Sequence, residues 1–421
     1  VNAPGGTPFF EFHDLDSCLE NVSDKEPHVM ALLPETGRAK RILREFEALK
    51  ARYPNAAERP PLFGVLLGVK DIFRADGFET RAGSALPAEV FAGPEASLVT
   101  RFKELGVLVL GKTVSTEFAF MEPGPTRNPH HLLHTPGGSS SGSAAAVACG
   151  YCGIALGSQT IGSISRPAAY CGVVGFKPSF GLLPCDGIVP FSPSADHVGF
   201  FTQKVEEARF VASLLLKNSP LPHSATANSA RKPVLGVPDG PFLMQAELAA
   251  REYFEALLNR FESCGYSVVR VPLFHDIEAI NQRHRAMITA ELATVHEKWF
   301  VDFSHLYKPG THAAILQGQK VSVQELEDAR ASQLLLRAEI ANAMAKAGVD
   351  VWISPSAPNT APEGLLFTGS PVMNLPWTHA GMPTVSLPSG FSKKGLPFGL
   401  QLAAEWGRDL ALLDWAVQLQ L

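Results

Sequence analysis

Two glycine- and serine-rich stretches, 135–143 and 157–172, gather hydroxyl side chains where the backbone can bend sharply. A serine hydroxyl attacks an acyl carbon only when a neighbouring base accepts its proton. Backbone N–H groups beside it can then stabilise the oxyanion that forms. Within the first stretch, Gly138-Ser139-Ser140-Ser141-Gly142 fits G-x-S-x-G, the nucleophile elbow, with Ser140 as its serine. That elbow needs a buried strand directly before it, and Pro136 stands two residues ahead of the motif. Asp196 and His197 supply the remaining triad types, but adjacent side chains rarely point to one place.

Two further patterns carry little chemistry. Residues 106–113 fit the phosphate-loop pattern G-x-x-x-x-G-K-[ST], yet the spacer is Val107-Leu108-Val109-Leu110. Such a run is a strand, and a strand spends its N–H groups on its neighbours rather than on phosphate. Cys149 and Cys152 form a lone Cys-x-x-Cys in an alanine-rich stretch, and they read as two small buried residues.

A different reading joins both stretches to Gly68-Val69-Lys70-Asp71, at the end of an apolar segment. To these add Thr126-Arg127-Asn128-Pro129, residues 173–179, and Ser192-Pro193-Ser194-Ala195-Asp196-His197-Val198-Gly199. This ordered set resembles the amidase signature family of serine amidohydrolases. The resemblance is strongest over 64–199. It returns at Asn374-Leu375-Pro376-Trp377, Gly381-Met382-Pro383 and Gly399-Leu400-Gln401-Leu402.

The resemblance implies a Ser-Ser-Lys triad without histidine. Lys70 matches the base, Ser139 the bridging serine that follows a cis peptide bond to Gly138, and Ser163 the nucleophile. The physical chemistry is consistent with these roles, because a lysine is a base only when neutral, and apolar burial favours its neutral form. Thr160, Ile161, Gly162 and Ser163 are expected to offer backbone N–H groups to the oxyanion. Gly138, Met121, Arg166 and Phe191 are expected near the substrate. Arg166 has two roles open to it, gripping a substrate carboxylate or holding the loop through an internal ion pair. Phe118 and Trp377 fit either a pocket lining or plain core. His130, His131 and His134 have metal-like spacing, but the matching family segment is an approach loop without metal, so neither a metal nor a cofactor is expected.

Three positions depart from the family pattern. Gln159 stands where Asp is common, Ile161 where Gly is common, and Ser165 where Arg is common. The lost Asp and Arg read as one charged pair replaced by neutral residues. A β-branched residue at 161 resists positive φ, so either φ there is negative or the hole is distorted.

The surrounding elements must hold these residues. Short apolar runs at 63–69, 107–110, 154–157, 173–176, 232–237, 267–271, 349–353, 384–387 and 397–403 read as strands. Helical periodicity appears at 39–53, 97–105, 206–217, 246–264, 277–303, 323–347 and 408–418, and an alanine-rich helix starts at 143. The alternation predicts a single α/β/α domain over 61–421, a large twisted mixed β-sheet covered by helices on both faces. Residues 1–60 form an N-terminal helical region packed on it. The polar segment 220–232 is the best linker candidate. Hydrophobic residues are 46% and charged residues 18% of 421, which suits a large core. A net charge of −5 supplies no field for nucleic acid. No apolar run approaches the ~20 residues of a membrane helix. Six cysteines are too few for a disulfide framework, which points to the cytoplasm.

The expected activity is hydrolysis of a carboxamide or related C–N acyl bond, with carbamates and esters in reach. The alternatives are an amidotransferase A-type subunit that needs partner chains, or a non-catalytic binding protein on the same fold. The expected partner is a small-molecule amide substrate, with no nucleic acid and no membrane, and with a homodimer left open.

Overall fold

Ten strands form one mixed sheet in the computed structural model, which describes residues 14–216 and 231–419. They are β1 (Leu66–Lys70), β2 (Leu108–Thr113), β3 (Ile154–Gln159), β4 (Val174–Lys177) and β5 (His197–Thr202), then β6 (Leu235–Asp239), β7 (Val268–Pro272), β8 (Val351–Pro355), β9 (Thr384–Phe391) and β10 (Pro397–Ala403). Their order is β2-β1-β3-β5-β4-β9-β10-β8-β6-β7. Pairing is parallel at β1/β2, β1/β3, β6/β7 and β6/β8, and antiparallel elsewhere.

The two-residue period of a strand sends alternate side chains to opposite faces. Leu66, Leu108, Leu110, Ala155 and Phe201 belong to one buried cluster. Their sequence neighbours Leu67, Val107, Val109, Ile154, Leu156 and Phe200 belong to another. Both faces are therefore covered, and strands β1 to β5 are buried along their whole length. The first cluster also takes in Cys18, Val29 and Ile42 from the helices Leu15–Val29 and Arg38–Arg52. Those two helices thus share their core with the sheet and with the alanine-rich helix Ser141–Ala148.

Most expected elements lie within a few residues of their observed bounds. The apolar run at 63 starts as a turn, and strand geometry begins at Leu66. Strand β5 is not among the expected runs, although His197–Thr202 carries a short apolar core at Val198, Phe200 and Phe201. The long helix expected at 277–303 divides at His296 into Ile277–Val295 and Glu297–Phe303. The helix at 323–347 is bounded as expected. A capping box between Ser322 and Glu325 starts it, and Gly348 ends it with φ of 67°. Positions 220–230 of the linker candidate, and Lys217, lie outside the described residues.

Because β1 and β3 are parallel neighbours, their carboxyl ends open side by side. Lys70 closes β1, and Gln159 closes β3. The chain leaving β3 turns through 160–164 into the helix Ser165–Cys171. Crevices at the carboxyl ends of parallel strands are where α/β sheets hold ligands.

Candidate active site

Lys70 is completely buried. Its Nζ lies 2.8 Å from Ser139 Oγ and 2.8 Å from Ser158 Oγ. Burial holds its pKa well below the usual lysine range, and the charge of Asp196 acts in the opposite direction. The adjacent Asp71 is taken by Lys112 of β2, at 3.1 Å. Lys112 also donates to Phe73 O at 2.8 Å and Thr80 Oγ1 at 3.0 Å, so the lysine of the phosphate-loop pattern is a structural cation. Ser158 lies outside the set of residues expected from the sequence. Its only signal there is its place one residue before the end of β3, beside β1.

The peptide bond Gly138–Ser139 is cis. A Cβ at 138 would sit 2.7 Å from Thr368 Cγ2 and 3.0 Å from Thr116 Cγ2, so the position has no room for a side chain. Arg166 holds this loop. Its guanidinium donates to Gly138 O at 2.7 Å, Gly369 O at 2.6 Å and Thr368 Oγ1 at 3.2 Å. Burial lowers its pKa to about 10, and Tyr170 opposes that shift. The oxygens it meets are carbonyls and a hydroxyl rather than a carboxylate. Ser140 is fully buried, and its Oγ donates to Ser158 O at 3.3 Å. No strand precedes it, so the elbow geometry does not form.

Ser140 N–H donates to Ser163 O at 3.4 Å, which ties the two serine loops together. Ser163 is 7% exposed. Gln159 organises the loop in front of it. Its Oε1 accepts from Ile164 N–H at 2.8 Å and Ser165 N–H at 2.9 Å. Its Nε2 donates to Thr378 Oγ1 at 2.9 Å, and that hydroxyl donates to Ile161 O at 2.7 Å. The neutral amide thus satisfies the N–H groups after Ser163. Among the described residues, the N–H groups of Ile161, Gly162 and Ser163 donate to no protein acceptor. Ile161 is absent from the residues with positive φ, so the loop accommodates its β-branched side chain. Thr160 Oγ1 donates to Asp196 Oδ1 at 2.6 Å.

Asp196 also accepts from Phe191 N–H at 2.8 Å and Ser192 N–H at 3.0 Å. Burial pushes its pKa up to about 6 against those hydrogen bonds. His197 turns its Nδ1 to Ala195 O at 2.7 Å instead of to Asp196. Phe191 is buried against Phe120, whereas Met121 is 51% exposed. Phe118 and Trp377 are fully buried in the main core, Phe118 against Tyr307 and Trp377 against Phe274. His130 Nε2 lies 3.0 Å from Cys171 O, and His134 Nδ1 lies 2.8 Å from Ala361 O, so both rings brace loops. Cys149 and Cys152 are buried free thiols.

A model of the amidase family matches residues 19–413 of the chain. The chain belongs to the amidase signature family. This amidase-family chain is 32% identical over 411 residues to the A-type subunit of a glutamyl-tRNA(Gln) amidotransferase from Prochlorococcus marinus (strain MIT 9211), covering 85% of this chain and 83% of that one. Among solved structures, one described as an amidase is 33% identical, with a TM-score of 0.83 over 96% of this chain and 95% of the other. The native peptide amidase of Stenotrophomonas maltophilia is 25% identical, with a TM-score of 0.80 over 96% and 91%.

These relatives correct the expectation about partners. A small-molecule substrate with at most a homodimer is not what the names of the curated relatives describe, since each is named as one subunit of an amidotransferase. No helix among the described residues is long and apolar enough to cross a membrane.

Proposed function

We propose that this amidase-family chain cleaves a carboxamide C–N bond through an acyl-enzyme on Ser163, as the amide-cleaving subunit of an amidotransferase-like assembly. The observation that carries the chemistry is Lys70, a buried amine that meets two hydroxyls and no carboxylate. In the neutral form its lone pair can accept the Ser139 proton, and Ser139 can in turn accept the proton of Ser163. Ser163 Oγ then bonds to the acyl carbon, and the carbonyl oxygen takes the charge opposite the unpaired N–H groups of 161–163. Collapse breaks the C–N bond, and the nitrogen leaves with the proton returned through Ser139. Water attacks the acyl-enzyme, by the same route, to free the acid. The subunit reading rests on the names of the curated relatives.

A second reading, an amidohydrolase on amide, carbamate or ester bonds that acts without partners, is favoured by the likeness to the solved amidase at 33% identity. Buried free cysteines suit a reducing cytoplasm under either reading.

Fluorophosphonate labelling with peptide mapping tests the chemistry. A label on Ser163 that disappears in Lys70→Ala supports it, and a label on Ser140 refutes it. Glutamine-dependent ammonia release that needs copurifying chains selects the subunit reading. Amide hydrolysis by the isolated chain at full rate selects the second.

A further inference from the structure

The loop 160–163 is held from behind by groups that lie outside the Ser-Ser-Lys set. In a trans peptide the C=O and the following N–H point in opposite directions. The one cis bond among the described residues is Gly138–Ser139, so the peptides of this loop are trans. Fixing a carbonyl here therefore aims the N–H of the next residue. Three consecutive carbonyls are fixed. Gly162 O accepts from Arg166 N–H at 2.9 Å, in a turn that leads into the helix Ser165–Cys171. Ile161 O accepts from the Thr378 hydroxyl at 2.7 Å. Thr160 O meets His284 Nε2 at 3.0 Å, across 124 positions of sequence.

His284 lies on the helix Ile277–Val295 and ends a buried row. Its Nδ1 lies 3.1 Å from His379 Nδ1, and His379 Nε2 lies 2.8 Å from Ser332 Oγ. One direction of donation serves the row from Thr160 O to His379 Nδ1. A carbonyl only accepts, so His284 Nε2 carries the hydrogen. A neutral imidazole has a single N–H, so His284 Nδ1 accepts. His379 Nδ1 must then donate, and its Nε2 shares the single Ser332 hydroxyl hydrogen with Ala329 O, which lies 2.7 Å from Ser332 Oγ. Burial keeps both rings neutral, lowering His284 to about 4 and His379 to about 2.

We infer that His284 is a positioning residue for the oxyanion hole: it fixes the Thr160 carbonyl and so aims the Ile161 N–H, while His379 supports its tautomer. This rests on the Ser163 reading above and deepens it. His284 touches no reacting atom. Its effect appears only when charge builds on the acyl oxygen.

The test is the rate of inactivation by a fluorophosphonate, separated into kinact and KI. Ser163 Oγ would displace fluoride at phosphorus while the phosphoryl oxygen gains charge, so the hole acts on kinact. His284→Ala is expected to lower kinact about 10–100-fold, below the loss for deleting a hole donor outright in the worst cases. KI should stay within about threefold, because initial binding does not use the developing charge. His284→Gln keeps an N–H donor and should recover most of kinact. His379→Ala leaves the His284 ring but removes the group that supports its tautomer, so its kinact should fall between the two. That variant carries the test if His284→Ala does not fold. An unchanged kinact in folded His284→Ala or His379→Ala overturns the inference alone. So does equal slowing of His284→Ala and His284→Gln, which would mark a packing role. A folded native chain that takes no label at Ser163 overturns the Ser163 reading, and this inference falls with it.

Discussion

Neighbouring strands each bury a lysine and give it opposite surroundings. Lys112 of β2 has the Asp71 carboxylate and three further oxygens around its ammonium. Lys70 of β1 has two hydroxyls. A buried charge without a paired counter-charge is costly, so burial favours the neutral amine, with the charge of Asp196 acting in the opposite direction. The lowered pKa sets a direction for the pH profile. Protonation of Lys70 removes the base as pH falls, so Ser163 labelling should decline toward acid. A flat profile from roughly pH 5 to 9 would count against Lys70 as the base. Lys70→Ala should slow labelling about 10²–10⁴-fold, the usual contribution of a general base.

At the scale of the loop, Gln159 explains its own departure from the family. An amide accepts two N–H groups with its oxygen and donates with its nitrogen, so no arginine is needed opposite it. The bracket it forms with Thr378 leaves the N–H groups of 161–163 free. Gly162 is the tight point of this loop. A Cβ there would lie 2.4 Å from Asn374 Oδ1 and 2.8 Å from Pro371 Cβ. Gly162→Ala should therefore shift the loop and cut the labelling rate by about 100-fold or more, comparable to losing a hole donor. Labelling at the native rate in that variant would show that the loop yields without disturbing the hole.

The whole molecule assembles the site from both halves of the chain. Arg166 ties the cis loop to Thr368 and Gly369, and Gln159 reaches Thr378. His284 arrives from a helix packed beside the capped helix Val323–Ala347, which carries Ser332. This wiring makes the site part of the cooperative fold, with a consequence in acid. The folded pKa of His284 is about 4, lowered chiefly by burial and further by Arg285, and opposed by the hydrogen bond to Thr160 and by Glu291. The unfolded chain therefore binds the proton first as pH drops below the ordinary value of 6.5. Stability from this group is complete above 6.5 and is lost as pH falls through about 4. His284→Gln should flatten the acid limb by up to about 1.4 kcal/mol per pH unit between those values, measured by denaturant unfolding at several pH values. An acid limb of unchanged slope would place the His284 proton elsewhere.

Residue type and order were enough to recognise the family, because a Ser-Ser-Lys set with its glycines is a local chemical requirement that recurs at characteristic spacing. They were also enough for most strands and helices, since burial on a sheet or a helix imposes a period on the chain. Strand β5 escaped because its six residues interrupt their apolar run with Gly199 and follow directly on a polar loop. The break at His296 escaped because the apolar period continues through it. Other facts depend on approach across the fold. Ser158 beside Lys70, Thr378 behind Ile161 and His284 behind Thr160 meet only after the sheet has closed and the helices have packed on it. Hydrogen bonds of that kind depend on distances of about 3 Å between segments far apart in sequence, and no spacing rule along one chain encodes them. The same holds for Arg166, whose charge suggested a carboxylate partner but whose packing gave it carbonyl oxygens.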